Sequence, residues 1–137
     1  FREMVKPKMG YMIGELKKKN KNVKVAFHSD GYIEPVIDDL IEVGVDLLNP
    51  IQPECLDIDE IHRRYKGTLS FDGGMGTQST MPWGTPAEVR ARVKELIDKY
   101  GREGGLLISP THVLEPEVPL ENIDAFADAC REYGTFE

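Results

Sequence analysis

The chain has 137 residues, 40% of them hydrophobic, with no apolar run long enough to cross a bilayer and no signal-peptide pattern at its start, so a soluble cytoplasmic protein without a membrane partner is expected. With 24 acidic against 17 basic residues the net charge is -7, and no Lys/Arg stripe interleaved with aromatics offers a footprint for phosphate backbones, so no nucleic-acid partner is expected. Cys55 and Cys130 lie far apart without a CxxC, poor material for a disulfide framework or a thiolate zinc cluster, and read as two reduced thiols.

In chain order, Met4 to Lys19 places Met9, Met12, Ile13 and Leu16 at helical spacing among lysines and ends in the polar run Lys17 to Asn22. No start signal or cap precedes Phe1, so the sequence reads as the later part of a longer protein. An alternation follows: strand Val23 to Phe27, helix Ile33 to Glu42, strand Val45 to Asn49, helix Ile58 to Tyr65, strand Thr68 to Phe71, helix Pro86 to Tyr100, strand Leu106 to Ser109 and helix Leu120 to Tyr133. Four strands, each followed by a helix, predict parallel βαβ units in one domain, an α/β fold. Asp57 and Thr85 are expected N-caps, Thr85 with Pro86 in the first turn and Glu88 at the capping-box position, and Gly101 is the expected stop of the long helix. That helix should bury Val89, Val93, Leu96 and Ile97 and turn Arg90, Lys94, Asp98 and Lys99 outward.

In a parallel α/β array the loops after the strands gather at one face. Here the strands run into His28-Ser29-Asp30-Gly31, Asn49-Pro50-Ile51-Gln52, Asp72-Gly73-Gly74-Met75-Gly76 and Ser109-Pro110-Thr111-His112. Every strand delivers polar or glycine-rich chemistry to the same rim, which a purely structural rim does not need. Asp30 by itself reads as an N-cap for a helix beginning near Tyr32.

The runs FHSDGYIEPVIDDLIEVGVDLLNPIQPE, FDGGMGTQSTMPWGTPAEVRARVKELI and GGLLISPTHVLEPEVPLENIDAFADACREYG resemble the C-terminal half of the uroporphyrinogen decarboxylase superfamily. The resemblance covers nearly the whole chain. It implies that residues 1–137 are the C-terminal (β/α)4 half of a TIM (β/α)8 barrel, with the rest of the active site on an N-terminal half, and that a chain lacking that half would self-associate. The superfamily includes the heme-pathway decarboxylase and corrinoid-linked methyltransferases. Its methyltransferases hold zinc with a His-x-Cys pair after the fifth strand and another Cys after the eighth, and the metal activates a thiol as methyl acceptor. In this sequence His28 matches the His, Asp30 stands at the first Cys and His112 at the later one. Two imidazoles and a carboxylate suit zinc or another divalent metal with an open position. The methyltransferase branch therefore implies a metal, a corrinoid methyl donor, a corrinoid protein as partner and a small-molecule substrate.

The decarboxylase branch implies no metal, and a histidine matches His112 there too, but a Gly-Asn-Leu-Asp-Pro run follows its seventh strand where this chain has Asp72-Gly73-Gly74-Met75-Gly76-Thr77-Gln78. Methyl transfer leads, decarboxylation of a uroporphyrinogen-like tetrapyrrole is the alternative, and a non-catalytic fragment is the third reading. The site residues expected are Asp72 and His112 as catalytic, Asn49, Gln52, Gly73, Gly74 and Gln78 as substrate-binding, and His28, Asp30 and His112 as metal ligands. GGMG lacks the helix and lysine of a phosphate loop, and His62, between Ile61 and Arg63-Arg64, should face solvent. Cys55 is an outside candidate for a soft ligand, while Trp83 and Tyr32 either frame a pocket or pack.

Overall fold

The computed structural model describes residues 1–135. Helix α1 (Lys6–Lys19) precedes strand β1 (Ala26–His28), a 3-10 turn (Glu34–Val36) and helix α2 (Ile37–Glu42). Strand β2 (Leu47–Ile51), helix α3 (Ile58–Tyr65), strand β3 (Ser70–Met75) and the short helix α4 (Thr80–Trp83) follow. The chain then forms helix α5 (Pro86–Leu96) with a π-helical tail (Ile97–Gly101), strand β4 (Leu106–Pro110) and helix α6 (Leu120–Tyr133).

All strand pairings are parallel and the sheet order is β1-β2-β3-β4, the sequential array expected of consecutive βα units. Alternate residues separate the two faces. Leu48 and Phe71 are buried together with Ile37 and Leu40 of α2 and Val89, Val93 and Leu96 of α5, which makes the helix-covered face the core. Each such aliphatic side chain contributes about 1.5–3 kcal/mol by leaving water. Residues of the other parity, Ala26, His28, Leu47, Asn49, Ser70, Asp72, Leu107 and Ser109, are partly or fully exposed on the open face. Arg2 and Lys6 reach Asp39 of α2 at 2.8 and 2.6 Å, and the Lys6 hydrogen bond, ahead of that from Arg2, holds this buried carboxyl below the usual carboxylate range.

Helices Ile58–Tyr65 and Leu120–Tyr133 have the predicted bounds. Asp57 accepts from the Glu60 N–H at 3.0 Å, and Thr85 and Glu88 complete the capping box. Other boundaries differ for physical reasons. Strand β1 begins at Ala26 instead of Val23, because β2 starts only at Leu47 and the Val25 backbone is held instead by Asp46: the Asp46 carboxylate accepts the Val25 N–H at 2.8 Å. Strand β3 continues through Gly73, Gly74 and Met75, expected in the loop; the register with Ile108, Ser109 and Pro110 of β4 carries it on. The Ile33–Glu42 segment divides into a 3-10 turn and α2, and its N-cap is Ile33 without a side-chain cap bond, so Asp30 is not the cap. The predicted Pro86–Tyr100 helix turns π-helical at Ile97, and Gly101 ends that tail.

Candidate functional site at the strand ends

Strand β1 ends on His28, whose register partner in β2 is Asn49. Both side chains therefore stand on the open face, and His28 Nδ1 lies 2.6 Å from Asn49 Oδ1. His28 Nε2 lies 3.5 Å from Asp30 Oδ2, with the two side chains 60% and 50% exposed, so both atoms are reachable from the mouth. On the other half of the sheet the Ser109 hydroxyl donates to Asp72 Oδ1 at 2.5 Å, joining β4 to β3. The open face thus carries two polar couples, one between β1 and β2 and one between β3 and β4.

Above them, each rim loop is tied to the next by side-chain hydrogen bonds. Gln52, buried, accepts the Gly31 N–H at 3.2 Å, fixing the loop after β1 to the end of β2. Ser79 donates to Glu54, fixing the loop after β2 to the loop after β3. A Cβ on Gly76 would fall 2.1 Å from that Glu54 carboxylate, so only glycine leaves room for the bond. Buried Thr111 meets Thr77 through N–H and hydroxyl contacts of 3.3 and 3.2 Å, fixing the loop after β3 to the segment after β4. These ties join the four rim segments in chain order.

The expected site residues divide accordingly. Asn49, Asp72, His28 and Asp30 present polar atoms at the open face or the mouth. Gln52 spends its carboxamide oxygen on the Gly31 backbone, which makes it a loop brace. Gly73 and Gly74 lie inside β3 with φ of +119° and +86°. A Cβ at Gly73 would press on Pro50 and the Ile51 nitrogen, and one at Gly74 on Leu96, so both glycines permit close packing. Gln78 is exposed and lines an open groove with Ser79, Trp83 and Arg92. Tyr32 and Trp83, at 66% and 71% exposure, pack into no core. His112 is exposed and follows β4, at the opposite edge of the sheet from His28. Among the described residues no three His, Cys, Asp or Glu side chains, Cys55 included, converge as a metal cage. The sequence does not reveal Ser109 as the partner of Asp72, nor the ties through Glu54, Ser79, Thr77 and Thr111; isolated polar residues at a strand end or in loops carry no periodic signal that would single them out.

The donor pair can be tested for a metal by geometry. Two ligands at about 2.0 to 2.2 Å from a tetrahedral ion stand ~3.4 Å apart, and His28 Nε2 and Asp30 Oδ2 are 3.5 Å apart. The pair fits two corners of such an ion.

A cavity of about 500 Å³ opens at the other ends of the strands, lined by Lys24, Asp46, His62, Lys66, Phe71 and Glu103 among others. Its charges pair internally, Lys24 with Asp46 at 3.7 Å and Lys66 with Glu103 at 3.5 Å, which leaves little for an ionic ligand. His62, expected to face solvent, is half-buried between the rings of Phe71 and Tyr100, with centroids 5.7 and 4.9 Å away, and burial lowers its pKa.

A sequential parallel sheet covered by helices on one face, with its polar chemistry at the carboxyl ends of the strands, defines a segment of a (β/α) barrel-type protein. Residues 1–133 match the family model described as uroporphyrinogen decarboxylase (URO-D), and the chain belongs to that family. Uroporphyrinogen decarboxylases from two strains of Pseudomonas fluorescens and from Pseudomonas syringae pv. tomato are each 29% identical over 96 residues, 70% of this chain. The match spans 26% of each of those relatives, about a quarter of their length. A solved structure of a methyltransferase from Methanosarcina mazei superposes with a TM-score of 0.74 at 20% identity, covering 98% of this chain and 37% of that one, which establishes the likeness of fold.

Proposed function

We propose that this chain provides the strand-end chemistry of a metal-assisted methyltransferase of the uroporphyrinogen decarboxylase family, acting on a small molecule once a complementary set of βα units closes the barrel. The observation that carries this reading is the 3.5 Å separation of His28 Nε2 and Asp30 Oδ2, the spacing of two ligands on one tetrahedral ion. A divalent ion held there would supply Lewis-acid activation of a thiol acceptor. His28, at the end of β1, and Asp30, in the loop after it, would contribute two donors, and His112, at the far sheet edge, would join them only where closure brings the two edges together. Asp72, held by the Ser109 hydroxyl, keeps its second oxygen for a substrate hydrogen or proton at the centre of the open face. The rim ties through Gln52, Glu54 and Thr111 keep these groups in register while substrate enters.

A second reading, metal-free decarboxylation of a uroporphyrinogen-like tetrapyrrole with Asp72 and His112 as the reacting groups, is favoured by the Pseudomonas relatives' names. Full-length protein carrying this chain should transfer a methyl group from methylcobalamin to a thiol and lose that activity in His28→Ala. Formation of coproporphyrinogen, unaffected by His28→Ala, would overturn the methyltransferase reading in favour of the decarboxylase. Either activity in the isolated chain would dispose of the view that it is only an assembly fragment.

A further inference from the structure

We infer that Asn49 is a positioning residue that fixes the tautomer of His28, holding the proton on Nδ1 and leaving the Nε2 lone pair on the side of Asp30 and the mouth. The carboxamide oxygen of Asn49 can only accept, and it lies 2.6 Å from His28 Nδ1, so the imidazole donates there. Neutral imidazole carries one N–H, and Nε2 is then an acceptor. The Asp30 distance supports the same assignment from the other side of the ring. An Nε2–H would draw the carboxylate to about 2.7–2.9 Å, whereas Asp30 Oδ2 stays at 3.5 Å. The arrangement, with one imidazole nitrogen donating to an oxygen so that the other is aimed, is how a ligand histidine is oriented by its outer partner.

The sheet makes the orientation precise. His28 and Asn49 are register partners on neighbouring parallel strands, so the bond spans one strand spacing between two backbone-anchored positions. The loop beyond is held by the Gln52–Gly31 bond, which limits how far Asp30 can swing. Asn49 therefore aims a group that is itself placed to touch a ligand, and its own oxygen is not free for substrate. The tautomer assignment stands on the Asn49 Oδ1 contact with His28 Nδ1; its consequence for metal binding rests on the methyltransferase reading above.

Ring nitrogen-15 NMR of the histidine-labelled chain, at a pH where its imidazoles are neutral, tests the assignment. Wild type should show His28 protonated at Nδ1 with an acceptor-type Nε2. Asn49→Ala should move His28 toward the Nε2–H form that free histidine favours, and Asn49→Asp, which keeps an acceptor oxygen at the same place, should restore the Nδ1–H form. Circular dichroism of each variant identifies a folding failure, and if Asn49→Ala does not fold, Asn49→Ser, shorter by an atom and out of reach, replaces it. A wild-type His28 protonated at Nε2, or a folded Asn49→Ala with an unchanged tautomer, overturns the inference. Titration of the full-length protein with zinc adds the second readout: Asn49→Ala should bind about 10–100-fold more weakly. Absence of zinc binding by wild type would sink the metal reading while the tautomer result still judged Asn49, so the two failures are distinguishable.

Discussion

Gly74 is a residue at which backbone and packing demands coincide: its φ is +86°, and a Cβ there would stand 3.0 Å from both terminal carbons of buried Leu96. Gly74→Ala should destabilise the chain by about 1–3 kcal/mol, measured by urea denaturation, because the strained φ and the overpacked α5 contact add. A change within error would show that β3 and α5 can separate at no cost. Asn122 makes the complementary case. Fully buried, it donates from Nδ2 to the carbonyls of Met81 at 2.8 Å and Gly84 at 2.7 Å, binding α6 to α4. Asn122→Ala should cost about 2 kcal/mol by leaving those carbonyls unpaired, and Asn122→Asp more, since a carboxylate then faces two acceptors; equal melting temperatures for the two variants would contradict this. Neither position was legible in the sequence. A glycine in GGMG reads as a turn residue, and a buried asparagine near a helix start reads as a cap, because the neighbours that give each its role lie 22 and 38 residues or more away in sequence. His28 and Asp30 were legible as a pair because their spacing alone brings them to one strand end.

Elements were most readable where local chemistry sets the boundary. Asp57, Thr85 and Glu88 bond to backbone within three residues of themselves, and the helices they start begin where the sequence indicated. Thr85→Ala should cost about 1 kcal/mol in the same denaturation experiment. Strand limits were less readable because a partner strand decides them: β1 waits for Leu47, and β3 runs on for as long as β4 pairs with it. Helix α3 carries the pH-sensitive element. Burial, with the nearby charge of Lys66 as the smaller cause, lowers the pKa of His62. The unfolded chain therefore takes up this proton first as pH falls through about 6.5, and the stability His62 contributes is present above that value and declines below it until the folded-state pKa is passed. Urea midpoints should fall between pH 8 and pH 5.5, and His62→Phe, which preserves the ring contacts, should reduce that fall; an identical fall in the variant would assign the effect to other groups.

At the scale of the whole molecule, one face of the sheet is a packed core and the other carries His28, Asn49, Asp72 and Ser109, while β1 and β4 each have a single neighbour among the described residues. Unpaired parallel edges recruit partners, so the isolated chain is predicted to self-associate, and a compact monomer in light scattering would count against that. The sequential order of the sheet was legible from the strand–helix alternation, since consecutive parallel units allow few other arrangements. The distance between His28 and His112 was not, because it depends on closure of the barrel and not on any run of residues. The claim on which the functional account depends is that His28 and Asp30 share an ion, and the most direct measurement is the metal content of the purified full-length protein and of its His28→Ala and Asp30→Ala variants. The account predicts close to one divalent ion per chain in wild type and loss of it in both variants with the fold intact by circular dichroism. Metal-free wild type after purification with zinc present, or variants that retain the ion, would contradict it.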